Sequence, residues 1–161
     1  MKSLIIYFSR ADENYAVGYI EKGNTEIVAE YVKELTGADM IKIEPAVPYA
    51  KDYKTCIEEA KQRIGNAPIK EYPGDISGYD TVYIMSPIYW GTYAPELETA
   101  LIDTDFTGKT VRVICTHEGS GLASMVSDVK KKCTGANVDE KGLAIKGSQA
   151  KDSKKLVEAW L

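Results

Sequence analysis

The feature that most constrains the fold is a repeated alternation of short apolar runs with longer stretches of helical periodicity. The apolar runs lie at residues 4–8, 40–43, 81–85, 111–116 and 143–145. The first of them, LIIYF, is almost continuously apolar, as expected for a strand that is buried on both faces of a sheet. Helical spacing or helix-start signals follow each run, at about residues 25–37, 50–64, 95–102, 119–132 and 150–161.

This alternation predicts an α/β fold, a three-layer, doubly wound, five-stranded parallel sheet with helices on both faces. The chain shows no internal repeat, low-complexity segment or linker, so we expect a single domain over residues 1–161. In such a sheet, ligands bind beyond the carboxyl ends of the strands, where the strand order reverses. The loops at 9–25, 86–95 and 116–121 are therefore expected to form one site.

Charge and hydropathy exclude several classes of partner. The 161 residues carry a net charge of -4 and contain no basic block, which argues against nucleic-acid binding. The apolar part of the N-terminal MKSLIIYFSR is too short for a signal peptide, and no long apolar segment follows it. We therefore expect a cytoplasmic protein that does not bind membranes.

The cysteines indicate neither a disulfide framework nor a zinc site. Cys56, Cys115 and Cys133 are odd in number and widely spaced, with no C-x-x-C pattern. Cys115 lies within an apolar run, so we expect it to be a small core residue. The sequence also shows no histidine pair and no tight carboxylate cluster, so no metal site is predicted.

The first loop ends in Gly-Asn-Thr at the start of a predicted helix. Unpaired backbone N–H groups and the helix dipole favour an anion there, and Ser9, Asn24 and Thr25 offer further donors. This arrangement can hold a phosphate without a metal, although the chain contains neither G-x-x-x-x-G-K-[ST] nor G-x-G-x-x-G. The alternative is that Asn24 or Thr25 simply caps the helix.

The second loop, SPIYWGTYAPE at residues 86–96, supplies aromatic faces. A flat conjugated ligand that stacked on Trp90 or Tyr89 would gain about 1 kcal/mol beyond area burial. Gly91 would let the backbone approach the edge of such a ring. The alternative is that these aromatic residues pack on the neighbouring helix.

The third loop, THEGSG at residues 116–121, is polar and contains two glycines. Its backbone N–H groups can meet the carbonyl oxygens of a heterocycle. Glu118 either accepts a hydrogen bond from a ring N–H or favours the N-terminus of the following helix through the dipole. His117 is the only histidine and has no serine or cysteine nucleophile beside it, so we assign no catalytic residue.

Together, GNTEIVAEYV, SPIYWGTYAPELETAL and FTGKTVRVICTHEGSGL resemble a flavodoxin, in particular a bacterial subgroup of the flavodoxin-like family. The resemblance covers nearly the whole chain and implies the strand order 2-1-3-4-5 and the cofactor FMN. It places the phosphate at the first loop, the isoalloxazine ring at Trp90-Gly91 and the pyrimidine end of the ring at the third loop. The cofactor-binding residues expected on this basis are Ser9, Arg10, Asn24, Thr25, Pro87, Ile88, Tyr89, Trp90, Gly91, Thr116, His117, Glu118, Gly119, Ser120 and Gly121.

Two features depart from the family pattern. Residues 10–22 interrupt the compact phosphate loop that is usual in the family. Either Arg10, Asn14 or Tyr15 therefore joins the site, or the insertion is a surface loop. THEGSGL lacks the tyrosine that many flavodoxins place against the outer ring face. That face is either covered by Tyr89 or Tyr93 or left open.

The resemblance implies an FMN-binding electron-transfer protein that cycles its flavin through one-electron steps and exchanges electrons with other redox proteins. It implies a monomer or a weak dimer. An open outer face would instead suit a small NAD(P)H- or quinone-linked FMN-dependent oxidoreductase. A third hypothesis, a non-redox binding domain that lost its flavin, is disfavoured by the intact GNT, YWG and EGSGL sequences.

Overall fold

The computed structural model describes residues 2–14 and 18–161. Strands and helices alternate along the chain, as the apolar runs predicted. The strands are β1 (Ser3–Tyr7), β2 (Asp12–Asn14), β3 (Gly18–Ile20), β4 (Asp39–Lys42), β5 (Thr81–Pro87), β6 (Thr110–His117), β7 (Asn137–Val138) and β8 (Leu143–Lys146). The helices are α1 (Asn24–Thr36), α2 (Tyr53–Arg63), α3 (Pro95–Ile102), α4 (Met125–Lys132) and α5 (Lys154–Trp160), with a 3-10 helix at Gly147–Asp152.

The main sheet is parallel and has the order β4-β1-β5-β6, with β7 and β8 both paired to β6. Counted along this sheet, the order is the predicted 2-1-3-4-5, which is confirmed. The fifth position is shared by two short strands: β7 pairs with the start of β6 and β8 with its end. Between them, the carboxylate of Asp139 accepts a hydrogen bond from the Lys141 N–H in a local turn.

Both faces of the sheet are buried, because alternate residues of each central strand enter different cores. On one face, Leu4 and Ile6 pack with Leu97 of α3 and Met125 of α4. On the other face, residues of β1, β5 and β6 pack with α1 and α5: Ile5, Tyr7, Tyr83, Met85, Ile114, Val28, Val32 and Val157. This confirms the layers of the predicted fold. Cys115 is buried in the first core, as expected.

The insertion at residues 10–22 is not simply a loop, because it contains the antiparallel hairpin of β2 and β3. Asp12 pairs with Ile20, and β2 contacts α2. The sequence DEN of β2 has low strand propensity and gave no apolar alternation, so the hairpin was missed. Tyr15, one of the residues suggested for the site, lies outside the described residues.

Three helices begin later than the sequence pattern predicted. The helix predicted from Gly119 begins at Met125, because positive φ angles at Gly119, Gly121 and Ala123 exclude a right-handed helix. The helix predicted from residue 50 begins at Tyr53, where the Asp52 carboxylate accepts from the Thr55 N–H. The last helix, predicted from residue 150, is divided into the 3-10 helix and α5.

Within the described ranges, no helix combines the length and apolar character that crossing a membrane requires.

Candidate functional site

A cavity of about 280 Å³ lies at the carboxyl-terminal edge of the sheet. Its walls come from the start of α1, one side of α2, and the segments that follow β5 and β6. The lining residues are Asn24, Tyr53, Ile57, Ala60, Pro87, Ile88, Tyr89, Trp90, Thr116, His117, Glu118 and Ser120. The three loops predicted to form one site therefore do meet.

One wall of the cavity belongs to α2 and was not predicted. Tyr53, Ile57 and Ala60 are spaced i, i+4 and i+7, so they share one face of this helix. The predicted helix at 50–64 already contained this spacing. No local signal, however, says which surface α2 covers, since that depends on how the β4–α2 connection folds back over the sheet.

The turn that carries Trp90 is built from two residues at positive φ. The Tyr89 N–H donates to the Thr92 carbonyl over 2.7 Å, and Trp90 and Gly91 between them have φ angles of 53° and 83°. Positive φ at both central positions gives a tight hairpin turn, which costs about 1–2 kcal/mol at a residue with a side chain. The backbone therefore holds Trp90 in a conformation that a tryptophan seldom adopts.

Contacts at both ends fix this turn in place. The indole N–H of Trp90 donates to the Ile57 carbonyl of α2 over 2.8 Å, yet the side chain stays 49% exposed. The Gly91 carbonyl accepts from the N–H and the hydroxyl of Ser124, at 3.0 and 2.8 Å. Trp90 thus bridges the β5 loop and α2 while part of its ring faces solvent.

Tyr89 lies between the cavity and an aromatic cluster of the core. Its ring meets those of Phe8 and Tyr49 edge to face, with centroids 5.8 and 6.3 Å apart. Its hydroxyl is buried and makes no well-formed hydrogen bond within the described ranges, and burial raises its pKa well above the usual value. Tyr93, the other proposed ring cover, is buried and lines a separate cavity, where its hydroxyl donates to Glu98.

The polar wall joins the end of β6 to the start of α1. The hydroxyls of Thr25 and Thr116 share a buried hydrogen bond of 2.8 Å. His117 accepts from the Gly119 N–H through Nδ1, at 2.9 Å, so the proton of the neutral ring sits on Nε2. Desolvation, and then the charge of Lys146, lower the pKa of His117, which keeps this ring neutral at pH 7.

The N-terminus of α1 is capped by neither Asn24 nor Thr25. Gly23 is the N-cap and makes no side-chain bond, while the Ser9 hydroxyl accepts from the Glu26 N–H over 2.9 Å. A Cβ on Gly23 would stand 2.1 Å from that hydroxyl oxygen, so only glycine allows this close approach. The alternative that Asn24 or Thr25 serves only as a cap is therefore wrong.

Glu118 is the most unusual polar group of the cavity. Both of its carboxylate oxygens are buried, and neither has a well-formed hydrogen bond among the described residues. Desolvation raises the pKa of Glu118, although Lys146 and the nearby Gly147 N–H partly oppose the shift. A Cβ on Gly147 would lie 1.9 Å from the Glu118 Oε1 and 2.5 Å from the Asn24 Nδ2, so these three residues pack closely together.

Nine of the predicted site residues line the cavity, and six are not among its lining residues. The nine are Asn24, Pro87, Ile88, Tyr89, Trp90, Thr116, His117, Glu118 and Ser120; the six are Ser9, Arg10, Thr25, Gly91, Gly119 and Gly121. Arg10 is buried, and its guanidinium donates to the Lys51 carbonyl over 2.8 Å. Among the described residues, no group of three or more His, Cys, Asp or Glu side chains could hold a metal ion.

A family model described as flavodoxin matches residues 13–161. No curated protein matches the chain. Among solved structures, a candidate flavoprotein from Bacteroides eggerthii is 25% identical, with a TM-score of 0.76 and coverage of 99% of this chain and 95% of that one.

Two further structures extend the comparison of the fold. A flavoprotein from Lactobacillus acidophilus, solved in complex with FMN, is 22% identical, with a TM-score of 0.66 and coverage of 94% and 97% of the two chains. Oxidised flavodoxin 2 from Bacillus cereus is 16% identical over the full length of both chains, with a TM-score of 0.56.

Proposed function

The chain belongs to the flavodoxin family, and from this membership we propose that it binds FMN in the 280 Å³ cavity and serves as an electron carrier. The observation that carries the proposal is the division of the cavity into two kinds of wall. Most of the apolar and aromatic lining side chains come from α2 and the β5 loop, and most of the polar ones come from α1 and the β6 loop. FMN, with a flat ring at one end and a phosphate at the other, has the same division.

The residues present fit this cofactor. Ile57, Ile88 and Trp90 offer apolar and aromatic surface for the ring, and the first residues of α1 offer backbone N–H groups to the phosphate. The buried carboxylate of Glu118 makes no well-formed hydrogen bond with the part of the chain that the structure describes, so it leaves acceptor capacity for a ligand. When bound, FMN supplies the redox chemistry, and the protein sets its affinity and potential.

The chain's own contribution would be to orient the ring and restrict water around it. The hydrogen bond from Trp90 to Ile57 ties the β5 loop to α2, so both walls of the apolar part are held together. Trp90 is half-exposed, so the site is open to solvent at this residue. We propose that redox partner proteins dock there, because electron transfer needs close approach but no opening of the cavity.

The first test is direct. The purified protein is examined for FMN released by acid and then titrated with FMN while flavin fluorescence is followed. We expect saturable binding of one FMN per chain. A protein that carries no flavin and does not bind added FMN would refute the proposal.

The second test separates the carrier from the alternative, a small NAD(P)H- or quinone-linked oxidoreductase. This alternative is retained because Trp90 is partly exposed, so a substrate could approach the flavin ring there. A carrier should show two separate one-electron stages in an anaerobic reductive titration and little oxidation of NAD(P)H. Rapid oxidation of NAD(P)H by quinone would favour the enzyme.

A further inference from the structure

Arg10 was expected among the cofactor-binding residues, but its side chain reaches another part of the molecule. The side chain is buried, and its guanidinium donates a hydrogen bond of 2.8 Å to the Lys51 carbonyl. Lys51 directly precedes Asp52, the N-cap of α2. This hydrogen bond therefore ties the segment that follows β1 to the N-terminal end of α2.

The main chain of Arg10 is in close contact with the start of α1. A Cβ on Gly23, the N-cap of α1, would stand 2.7 Å from the Arg10 carbonyl oxygen. Strand β2 begins two residues after Arg10 and contacts α2. Arg10 thus lies where the start of α1, the hairpin of β2 and β3, and the start of α2 meet.

The positive charge of Arg10 acts on two buried groups beside α2. Burial raises the pKa of Cys56 to about 11, and Arg10 opposes this increase more strongly than any other group does. Burial also raises the pKa of Tyr89, and Arg10 again opposes the increase. The guanidinium therefore lies near a thiol of α2 and near a tyrosine that lines the cavity.

The N-terminal half of α2 forms part of the cavity wall, through Tyr53 and Ile57. The C-terminal end of the helix is fixed separately, because Arg63 pairs there with Glu96 of α3. We propose that Arg10 positions the α2 wall of the flavin site by holding the N-terminal end of this helix, and that it does not bind the phosphate. The insertion after β1 thereby shapes the site from outside. The inference rests on the proposed function and adds a positioning residue to it.

The test uses two substitutions and a matched control. Arg10→Met removes the charge and the donors, and Arg10→Lys keeps the charge. The control is Arg112→Met. Arg112 is also largely buried and donates to a main-chain carbonyl, that of Trp160, over 2.8 Å. It ties down α5, which contributes no described residue to the lining of the cavity.

The first readout is the labelling of each cysteine by iodoacetamide in the purified protein at pH 8, followed by mass spectrometry. We expect Arg10→Met to speed the labelling of Cys56 at least about tenfold, because a hydrogen bond from a charged donor is lost. Cys115 and Cys133, which lie in the core under α3 and α4, should stay protected. Loss of the Arg10 charge alone would raise the pKa of Cys56 and slow its labelling, so faster labelling reports a movement of α2.

The second readout is the affinity for riboflavin and for FMN, measured by flavin fluorescence. The two ligands share the ring, and only FMN carries the phosphate. Because α2 borders the apolar part of the cavity, Arg10→Met should weaken both ligands by a similar factor, at least about threefold. Arg10→Lys should show both effects to a smaller extent, and it carries the same comparison where Arg10→Met does not fold. Arg112→Met should show neither effect.

Each other outcome has a definite meaning. Unchanged labelling of Cys56 would overturn the inference, and faster labelling of all three cysteines would overturn it by assigning Arg10 to the stability of the whole fold. Weaker binding of FMN with unchanged binding of riboflavin would also overturn it, since Arg10 would then act on the phosphate. A wild type that binds neither flavin would refute the proposed function, whereas the labelling of Cys56 would still decide whether Arg10 holds α2.

Discussion

At the scale of single residues, burial in the folded chain shifts the pKa of several side chains more than the adjacent residues in the sequence do. The three cysteines show this most directly. Desolvation raises the pKa of Cys56 from 9.0 to about 11 and those of Cys115 and Cys133 to about 12. All three side chains are buried, two of them in the core that packs α3 and α4.

These shifts predict thiols that do not react in the native state. The thiolate is the nucleophile, and at pH 8 a pKa of about 11 leaves roughly a hundredfold less of it than a pKa of 9.0 does. We expect negligible labelling by a thiol reagent at pH 8 and complete labelling of three thiols in denaturant. Fast labelling of one thiol in the native protein would contradict the burial described here.

Trp90 is the second residue whose surroundings predict a measurable effect. Replacing it by alanine removes the ring surface and the hydrogen bond to Ile57. We expect Trp90→Ala to weaken FMN binding by about 1–3 kcal/mol, measured as the change in dissociation constant. Tyr72→Ala, at another exposed aromatic residue outside the cavity, is the control and should leave the affinity unchanged. Equal affinities of the two variants would assign Trp90 to packing.

At the scale of elements, α2 is held in place by a buried polar cluster at its C-terminal end. The Glu96 carboxylate of α3 is fully buried, accepts from the Tyr49 hydroxyl at 2.8 and 3.0 Å, and pairs with Arg63 at 3.4 Å. The guanidinium of Arg63 also donates to the Val47 carbonyl and lies 3.9 Å from the centroid of the Tyr49 ring. The cluster thus joins α2, α3 and the connection that precedes α2.

Breaking this cluster should loosen α2. Arg63→Met leaves the buried Glu96 without its charged partner, which we expect to cost about 3–5 kcal/mol of the free energy of unfolding. The double variant Arg63→Met/Glu96→Leu removes both charges and should recover much of that loss. Denaturant unfolding measures both, and a double variant no more stable than the single one would show that the carboxylate is not the source of the cost.

The α2 wall also predicts an effect on binding. Ala60→Leu would extend a larger side chain from α2 at a position that lines the cavity. Because Ala60 is buried, we expect the added volume to cost about 1–3 kcal/mol of the free energy of unfolding and FMN affinity to fall at least about tenfold. Glu58→Leu, on the exposed face of α2, serves as the control. Unchanged FMN affinity in Ala60→Leu would mean that α2 does not border the bound flavin.

At the scale of the whole molecule, the proposed site draws on elements from both halves of the chain. Residues of α1 and α2 meet residues that follow β5, β6 and β8. A ligand that contacts all of them binds only the folded chain, so binding and global unfolding are linked.

This linkage predicts a thermal shift. At a free FMN concentration 100 times the dissociation constant, binding adds about 2.7 kcal/mol to the free energy of unfolding. For a chain of this size, that corresponds to a rise of about 5–10 °C in the unfolding midpoint. Differential scanning calorimetry with and without FMN measures the rise, and AMP, a nucleotide without the flavin ring, is the control. An equal rise with AMP would indicate a site for phosphate alone.

The sequence pattern by itself determined the layers of the sheet and the three loops that meet at its carboxyl edge, whereas the strand order followed from the resemblance to flavodoxins. Those properties are local in origin: apolar runs such as LIIYF mark buried strands, and parallel connectivity carries their following loops to one edge. The cavity-lining residues of α1 and of the β5 and β6 loops could likewise be predicted from the sequence.

Only the tertiary structure decided the rest. The hairpin within residues 10–22 and the late start of α4 depend on backbone conformations that hydrophobic periodicity does not report. Three further features depend on contacts between segments that are distant in the chain. They are the α2 wall, the turn of Tyr93 away from the cavity, and the burial of the Glu118 carboxylate beside Gly147. Such contacts arise from packing in three dimensions, and a pattern read along the chain carries no information about them.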